Sequence, residues 1–278
     1  MFTTLVSVTE LVAHLDDPHW LVFDCRHDLA DTETGRRAYS QSHIPGARFV
    51  HLDDDLSQPK TGTNGRHPLP EPGKFCARLA ALGMRADTQV VAYDSSGGFY
   101  AARLWWMLRW LGHDRAAVLD GGWDAWLKAA APVSAQLPIV NAGMFKGAAR
   151  DIAVDAQFIL DRLGQPHNVV IDARSADRFR GENESLDPVG GHIPGALNRF
   201  FKNNLAADGR FKPADELREE FADLLGAVEP AQVVHQCGSG VTACHNLLAM
   251  EIAGLNGSKL YPGSWSEWCS NPQRPVAP

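Results

Sequence analysis

The sequence predicts an α/β protein of two tandem domains, each an open, mostly parallel sheet flanked by helices. Three observations carry this prediction: a set of sequence blocks that occurs twice, a repeat period as long as a whole domain, and short β-branched runs alternating with helical patterns. Val22-Phe23-Asp24-Cys25-Arg26 returns as Val170-Ile171-Asp172-Ala173-Arg174, and His43-Ile44-Pro45-Gly46-Ala47 returns unchanged as His192-Ile193-Pro194-Gly195-Ala196. Val90-Val91-Ala92-Tyr93-Asp94 matches Val233-Val234-His235-Gln236-Cys237, and Gly121-Gly122-Trp123 with Trp126 matches Gly263-Ser264-Trp265 with Trp268. Four blocks in one order indicate duplication. The period, near 145 residues, far exceeds the roughly 20 to 50 of solenoid repeats, so each copy is expected to be a complete domain.

Residues 1–135 are assigned to the first domain, 136–150 to a linker and 151–278 to the second domain. The linker follows from Pro132, Pro138, Gly143 and Gly147 in a stretch without sustained periodicity. Along the chain, strands are predicted at Val90 to Tyr93, Ala117 to Leu119, Val169 to Ile171 and Val233 to Val234. Helices are predicted at Ala101 to Leu111, Ala214 to Leu225 and Thr242 to Ala253, the last carrying Cys244, Leu248 and Ile252 at i, i+4 and i+8. Strands alternating with helices imply parallel pairing through helical crossovers. Ligands in such sheets bind beyond the carboxyl ends of the strands.

Composition narrows the functional classes. Of 278 residues, 45% are apolar and 21% charged, as in a globular protein with a packed core. The apolar run from Leu104 to Leu111 contains Arg109 and falls well short of the roughly 20 residues of a membrane span. Met1 to Glu10 has no basic, long-apolar secretory pattern, so a cytoplasmic location is expected. Five cysteines without CxxC spacing argue against a disulfide framework, and the histidines show no ligand spacing, so no metal is expected. A formal charge of −7 disfavours nucleic acid as a partner.

The segment Val233 to Ala243 runs from a strand through a tight loop into a helix, with Cys237 at the strand's carboxyl end. Unpaired N–H groups and the positive dipole end at that position favour a thiolate. Gly238 and Gly240 are expected to adopt positive φ and let successive N–H groups converge into an anion-holding nest. Ser239 adds a hydroxyl, and Thr242 is expected to cap the helix. This arrangement suits a cysteine nucleophile whose intermediate carries negative charge. A buried core thiol is the competing reading.

The repeated HIPGA, the Cys237-Gly238-Ser239-Gly240-Val241-Thr242-Ala243 loop and the Gly263-Ser264-Trp265 ending with Trp268 resemble two-domain rhodanese-like sulfurtransferases over nearly the whole chain. The loop is most similar to the 3-mercaptopyruvate sulfurtransferase branch. The resemblance implies a persulfide on Cys237 and ping-pong transfer from a small anionic sulfur donor to cyanide, a thiol or a reduced thioredoxin-like protein, with no cofactor. It also implies that only the second copy is catalytic. Asp94 stands where the second copy has Cys237, and a carboxylate cannot carry sulfane sulfur.

The same resemblance implies donor contacts from Arg178, from the loop residues Gly238, Ser239, Gly240, Val241 and Thr242, and from His43 in the first copy. Because His192 repeats His43, a role in the fold is the alternative for both. Phe99 matches an aromatic at the mouth of the family's pocket. Two departures stand out. Mercaptopyruvate enzymes carry a second arginine nine positions after the first, where this chain has Asp187. Thiosulfate enzymes carry basic residues after the cysteine, where this chain has Gly238 and Ser239. Arg180 and Arg199 are the candidates for the missing charge. Thiosulfate thus remains the alternative donor, and a non-catalytic binding module the alternative class. A cysteine phosphatase would need an arginine about six positions after Cys237, where Ala243 stands. A duplicated chain already contains the interface a dimer would offer, so a monomer is expected.

Overall fold

In the computed structural model, which describes residues 1–165 and 167–278, the chain divides into two compact units. The first comprises Met1–Gln58, Pro70–Arg150 and Ala207–Arg210; the second comprises Pro59–Leu69, Asp151–Ala206 and Phe211–Pro278. Two short segments therefore group with the unit of the other repeat, which a contiguous division at the linker does not describe.

The first unit runs β1 (Leu5–Val6), α1 (Val8–Val12), β2 (Trp20–Asp24), α2 (Thr34–Gln41), β3 (Arg48–Phe49), α3 (Pro72–Ala81), β4 (Gln89–Tyr93), α4 (Phe99–Trp110), β5 (Ala116–Leu119) and α5 (Gly122–Lys128). Its sheet has the order β1-β5-β4-β2-β3 with every pairing parallel. The second unit runs α6 (Ala156–Leu160), β6 (Val169–Asp172), α7 (Ala176–Phe179), β7 (Leu197–Asn198), α8 (Ala214–Leu225), β8 (Val233–Gln236), α9 (Thr242–Ile252), β9 (Lys259–Leu260) and α10 (Ser264–Trp268). Its order, β7-β6-β8-β9, is also wholly parallel, and a bridge from Ala153 to Leu260 stands where β1 stands in the first unit. The two sheets share one topology, as the repeat predicts.

Central strands covered on both faces read as continuous apolar runs, and every residue of β4 and β8 is buried. The helices after them are buried more widely than a single stripe, which was the expectation for α9. Tyr100 to Leu108 of α4 and Ala243 to Met250 of α9 are buried without interruption, so these helices are sunk among neighbours on all sides. Ile44, Val91, Trp123 and Trp126 pack in one core, and their repeats Ile193, Val234, Trp265 and Trp268 pack in the other.

The repeated Asp-x-Arg is a buried ion pair. Arg26 Nη2 lies 2.6 Å from Asp24 Oδ2 with its guanidinium over Trp123, and Arg174 Nη2 lies 2.6 Å from Asp172 Oδ2 over Trp265. Each arginine also donates to the carbonyl just before the HIPGA motif, Ser42 at 2.6 Å and Gly191 at 2.8 Å. Within that motif Gly46 and Gly195 have φ of 76° and 79°, the left-handed position of a turn whose preceding proline presets the first corner.

The segment 136–150 does not hang free. Gly143, Ala148 and Arg150 donate backbone N–H bonds to Ala80, Leu111 and Trp110, and Phe145 is buried. A Cβ at Gly143 or Gly147 would strike the carbonyl oxygen of Met84 or Leu111, so the expected breakers instead permit close approach. No helix among the described residues is long and apolar enough to cross a membrane.

Candidate active site

Strand β8 delivers Cys237 to the carboxyl edge of the second sheet, and α9 begins five residues later. Cys237 is buried, and the Gly240 N–H lies 3.2 Å from its Sγ. The loop is pinned from behind by α10. Trp265 and Ser266 donate their N–H groups to the carbonyls of Cys237 and Gly238 at 2.9 and 3.0 Å, while the Cys237 N–H donates to Ser264 Oγ at 3.1 Å. Ser264 is a non-glycine residue at φ 54°, a conformation costing on the order of 1 kcal/mol. Its repeat partner is Gly122, at φ 56°. The strain at Ser264 is offset by a hydroxyl that also donates to the Tyr261 carbonyl at 2.9 Å.

The first unit shows what such a loop holds. Asp94, fully buried at the position of Cys237, accepts the N–H groups of Ser96, Gly98, Tyr100 and Ala101 at 2.7 to 2.9 Å. Burial raises its carboxyl above the ordinary value, against the pull of those four donors. By repeat position their counterparts are the N–H groups of Ser239, Val241, Ala243 and Cys244. That of Cys244 is taken by the Val241 carbonyl at 3.1 Å, while the other three have no acceptor among the described residues. The backbone does not repeat throughout, since Gly98 has φ 91° where Val241 has φ −93°, and in the second unit the N–H that faces the Cys237 sulfur is that of Gly240.

The glycines act differently from expectation. Gly240 does adopt positive φ, at 76°, and a Cβ there would strike the Pro262 carbonyl oxygen. Gly238 is not among the positive-φ glycines. Its missing side chain instead leaves room for two guanidinium groups, since a Cβ would lie 2.6 Å from Arg66 Nη2 and 3.6 Å from Arg178 Nη1. Thr242 is the first helical residue and the cap is Val241, without a side-chain cap bond, so the expected threonine cap is corrected.

Arg178 is held by Glu184, with Nε at 3.1 Å and Nη2 at 2.8 Å from its oxygens. Burial opposes ionisation of Glu184, but the Leu186 N–H and the Arg178 guanidinium bring its carboxyl below the ordinary value. Arg66 hydrogen-bonds Asp187 through Nη1. His67 Nδ1 shares a 2.8 Å hydrogen bond with Ser239 Oγ.

Other expectations are corrected. His43 is fully buried in the first unit, with Nδ1 2.7 Å from the Tyr39 carbonyl and Nε2 3.2 Å from that of Gln136, so no ring nitrogen is left for a substrate. His192 repeats the arrangement, stacking on Phe179 with Nδ1 2.9 Å from its carbonyl as His43 stacks on Tyr39. This shared geometry belongs to the fold. Both candidate cations already have partners: Arg180 pairs with Glu182 at an exposed position, and Arg199 with Asn204 and Glu220. Phe99 opens α4 and stacks on Tyr100 within the first unit. Burial pushes up the thiols of Cys25 and Cys269, and Cys244 donates to the Gly240 carbonyl at 3.3 Å.

Arg66, His67 and Ser264 escaped the sequence reading. A signal was present: Gly65-Arg66 repeats as Gly209-Arg210, whereas His67 faces Phe211 in that alignment. A histidine that does not recur beside a motif that does is the stronger functional candidate.

His235 of β8 is fully buried, with Nε2 3.0 Å from Met250 Sδ. Burial, with Arg199 a second cause, lowers its pKa from 6.5 to about 3. The unfolded chain therefore takes up a proton that the folded chain refuses, so stability is intact above pH 6.5 and falls as pH drops toward 3. The slope is ~1.4 kcal/mol per pH unit. Denaturant titration should show His235→Leu losing less stability than wild type between pH 6.5 and 5, by ~1.6 kcal/mol. Equal losses would remove His235 as the cause.

The profile of the rhodanese-like domain matches residues 7–129 and 155–271. The chain is 47% identical over 276 residues to a probable 3-mercaptopyruvate sulfurtransferase of Pseudomonas aeruginosa, covering 98% of this chain and 97% of that protein. It is 37% identical over 282 residues to a putative thiosulfate sulfurtransferase of Mycobacterium tuberculosis, covering 98% and 96%. The structure superposes on the 3-mercaptopyruvate sulfurtransferase of Leishmania major with a TM-score of 0.85 at 32% identity, over 99% of this chain and 76% of that one. The family match covers both parallel α/β units, the second of which carries Cys237 at the start of its strand-to-helix loop. The chain belongs to the rhodanese family and is a sulfurtransferase with two tandem rhodanese-like domains.

Proposed function

We propose that the protein moves sulfane sulfur from 3-mercaptopyruvate to a thiol or cyanide through a persulfide on Cys237. What supports this reading is the loop geometry, in which a cysteine with the Gly240 N–H 3.2 Å from its sulfur stands where the first copy has a carboxylate. The donor's carboxylate docks at Arg178, and the Cys237 thiolate attacks the donor sulfur. The carbon–sulfur bond breaks, its electron pair passes to the enolate of pyruvate, and the thiol proton of the donor ends on the enolate carbon. Products are pyruvate and an anionic persulfide held by the loop N–H groups. A thiol then attacks the outer sulfur, leaves as the acceptor's persulfide and regenerates the thiolate. Cyanide leaves as thiocyanate by the same step.

Enolate departure needs a proton delivered, and Ser239 with His67 forms a relay beside the nucleophile. Thiosulfate, the alternative donor, releases sulfite, which departs without protonation. His67→Gln is therefore expected to lower kcat with mercaptopyruvate about 100-fold and to leave thiosulfate turnover within a few-fold of wild type. Steady-state assay with both donors checks this. An equal fall with both would assign His67 to loop support and remove proton delivery from the mechanism.

A further inference from the structure

We propose that Arg66 and Arg178 together anchor the donor's anionic head, and that Asp187 sets the charge of this anchor so that it takes a monoanion in preference to a dianion. The proposal rests on the sulfurtransferase reading above and names the donor class of that site.

Each acid occupies one edge of its arginine. Glu184 takes Nε and Nη2 of Arg178, and Asp187 takes Nη1 of Arg66. The remaining edges, Arg178 Nη1 and Arg66 Nη2, both border Gly238, 3.6 and 2.6 Å from where its Cβ would stand. Two unspent guanidinium edges therefore converge on the residue after the nucleophile. Arg66 is built into place: its N–H donates to Ser266 Oγ at 3.0 Å, and Gly65 has φ +82° with room for no Cβ, since one would stand 2.8 Å from the Gly263 carbonyl. The residue is thus positioned before any ligand arrives, which reduces the ordering cost of binding.

The cluster is electrically balanced. Arg66, Arg174 and Arg178 face Asp172, Glu184 and Asp187, three charges of each sign. Asp187, only 3% exposed, bonds Arg66 Nη1 while its Oδ2 lies 3.5 Å from Arg178 Nη2, so its one charge offsets part of both guanidinium charges from the side away from the unspent edges. A balanced cluster offers directional N–H donors with little net field. One negative charge is met by those donors, as for a carboxylate, whereas a second must be desolvated without a cation in surplus. Mercaptopyruvate brings one charge at neutral pH and thiosulfate two. Asp187 stands where the second family arginine is expected, and the cation comes instead from the Gly65-Arg66 loop together with its own counter-charge.

Asp187→Asn keeps a hydrogen-bonding side chain and removes one negative charge. It is expected to raise kcat/KM for thiosulfate relative to mercaptopyruvate by about tenfold, ~1.4 kcal/mol of preference. Arg66→Met is expected to raise KM for both donors about tenfold or more, while persulfide-loaded protein passes sulfur to a thiol at the wild-type rate. An unchanged donor ratio in Asp187→Asn, or an unchanged KM in Arg66→Met, would overturn the proposal. So would an acceptor step in Arg66→Met that falls as far as the donor step, which would make the loop merely structural. Wild type that takes sulfur from neither donor would instead refute the underlying transferase reading.

Discussion

Arg174→Ala is expected to destabilise the protein by ~3–5 kcal/mol, measured as a lowered guanidinium midpoint. Asp172 is fully buried, and Arg174 meets it with Nε at 3.0 Å and Nη2 at 2.6 Å while also reaching Glu184 at 3.3 Å. Truncation leaves Asp172 with the Arg174 backbone N–H, at 2.9 Å, as a remaining donor, and exposes the Trp265 face that the guanidinium covered. Removing one partner of a buried pair strands the other charge, whereas removing both costs far less. The double variant Asp172→Leu, Arg174→Met is therefore expected to be more stable than Arg174→Ala alone. The matching change in the first unit, Arg26→Ala, is expected to cost less, because the Tyr93 hydroxyl still donates to Asp24 at 2.5 Å. Tyr93's counterpart, Gln236, has no such bond. Equal losses at Arg26 and Arg174 would contradict this difference.

Much of the fold was legible because duplication writes each constraint twice. The paired HIPGA turns, the paired tryptophans and the valine-rich central strands all recur at matched positions, and packing accounts for each. Helices α4 and α9 were read to within two residues of their bounds; the stripe of Cys244, Leu248 and Ile252 did not show that α9, like α4, is buried on every side. Phe99 and Thr242 open these helices, set by where the preceding loops turn.

The site divides along a similar line. Cys237 and its loop lie in one continuous segment whose glycines are visible, so the strand-loop-helix could be read locally, although of the two loop glycines only Gly240 has positive φ. The purpose of Gly238 could not, because it depends on guanidinium groups from residues 66 and 178. Arg66 and His67 come from 170 or more positions upstream of the cysteine, and only the grouping of Pro59–Leu69 with the second unit brings them near it. His43 misled for the opposite reason: its motif is conspicuous because the turn needs it in both copies. Asp94, set aside only as a residue unable to carry sulfur, accepts four N–H groups of its own loop, a role its sequence position alone does not reveal.

The largest functional effect is expected at the nucleophile. Cys237→Ser keeps the size of the side chain and the bond from the Gly240 N–H, but its hydroxyl cannot hold a persulfide. Sulfur transfer should fall on the order of a thousandfold or more with every donor, at unchanged stability. The decisive measurement is the intact mass of wild type and Cys237→Ser after incubation with 3-mercaptopyruvate alone and removal of excess donor. One added sulfur atom on wild type, absent from the variant and lost on addition of cyanide, is the result expected. An added sulfur that persists in Cys237→Ser, or none on wild type with either mercaptopyruvate or thiosulfate, would contradict transfer through Cys237.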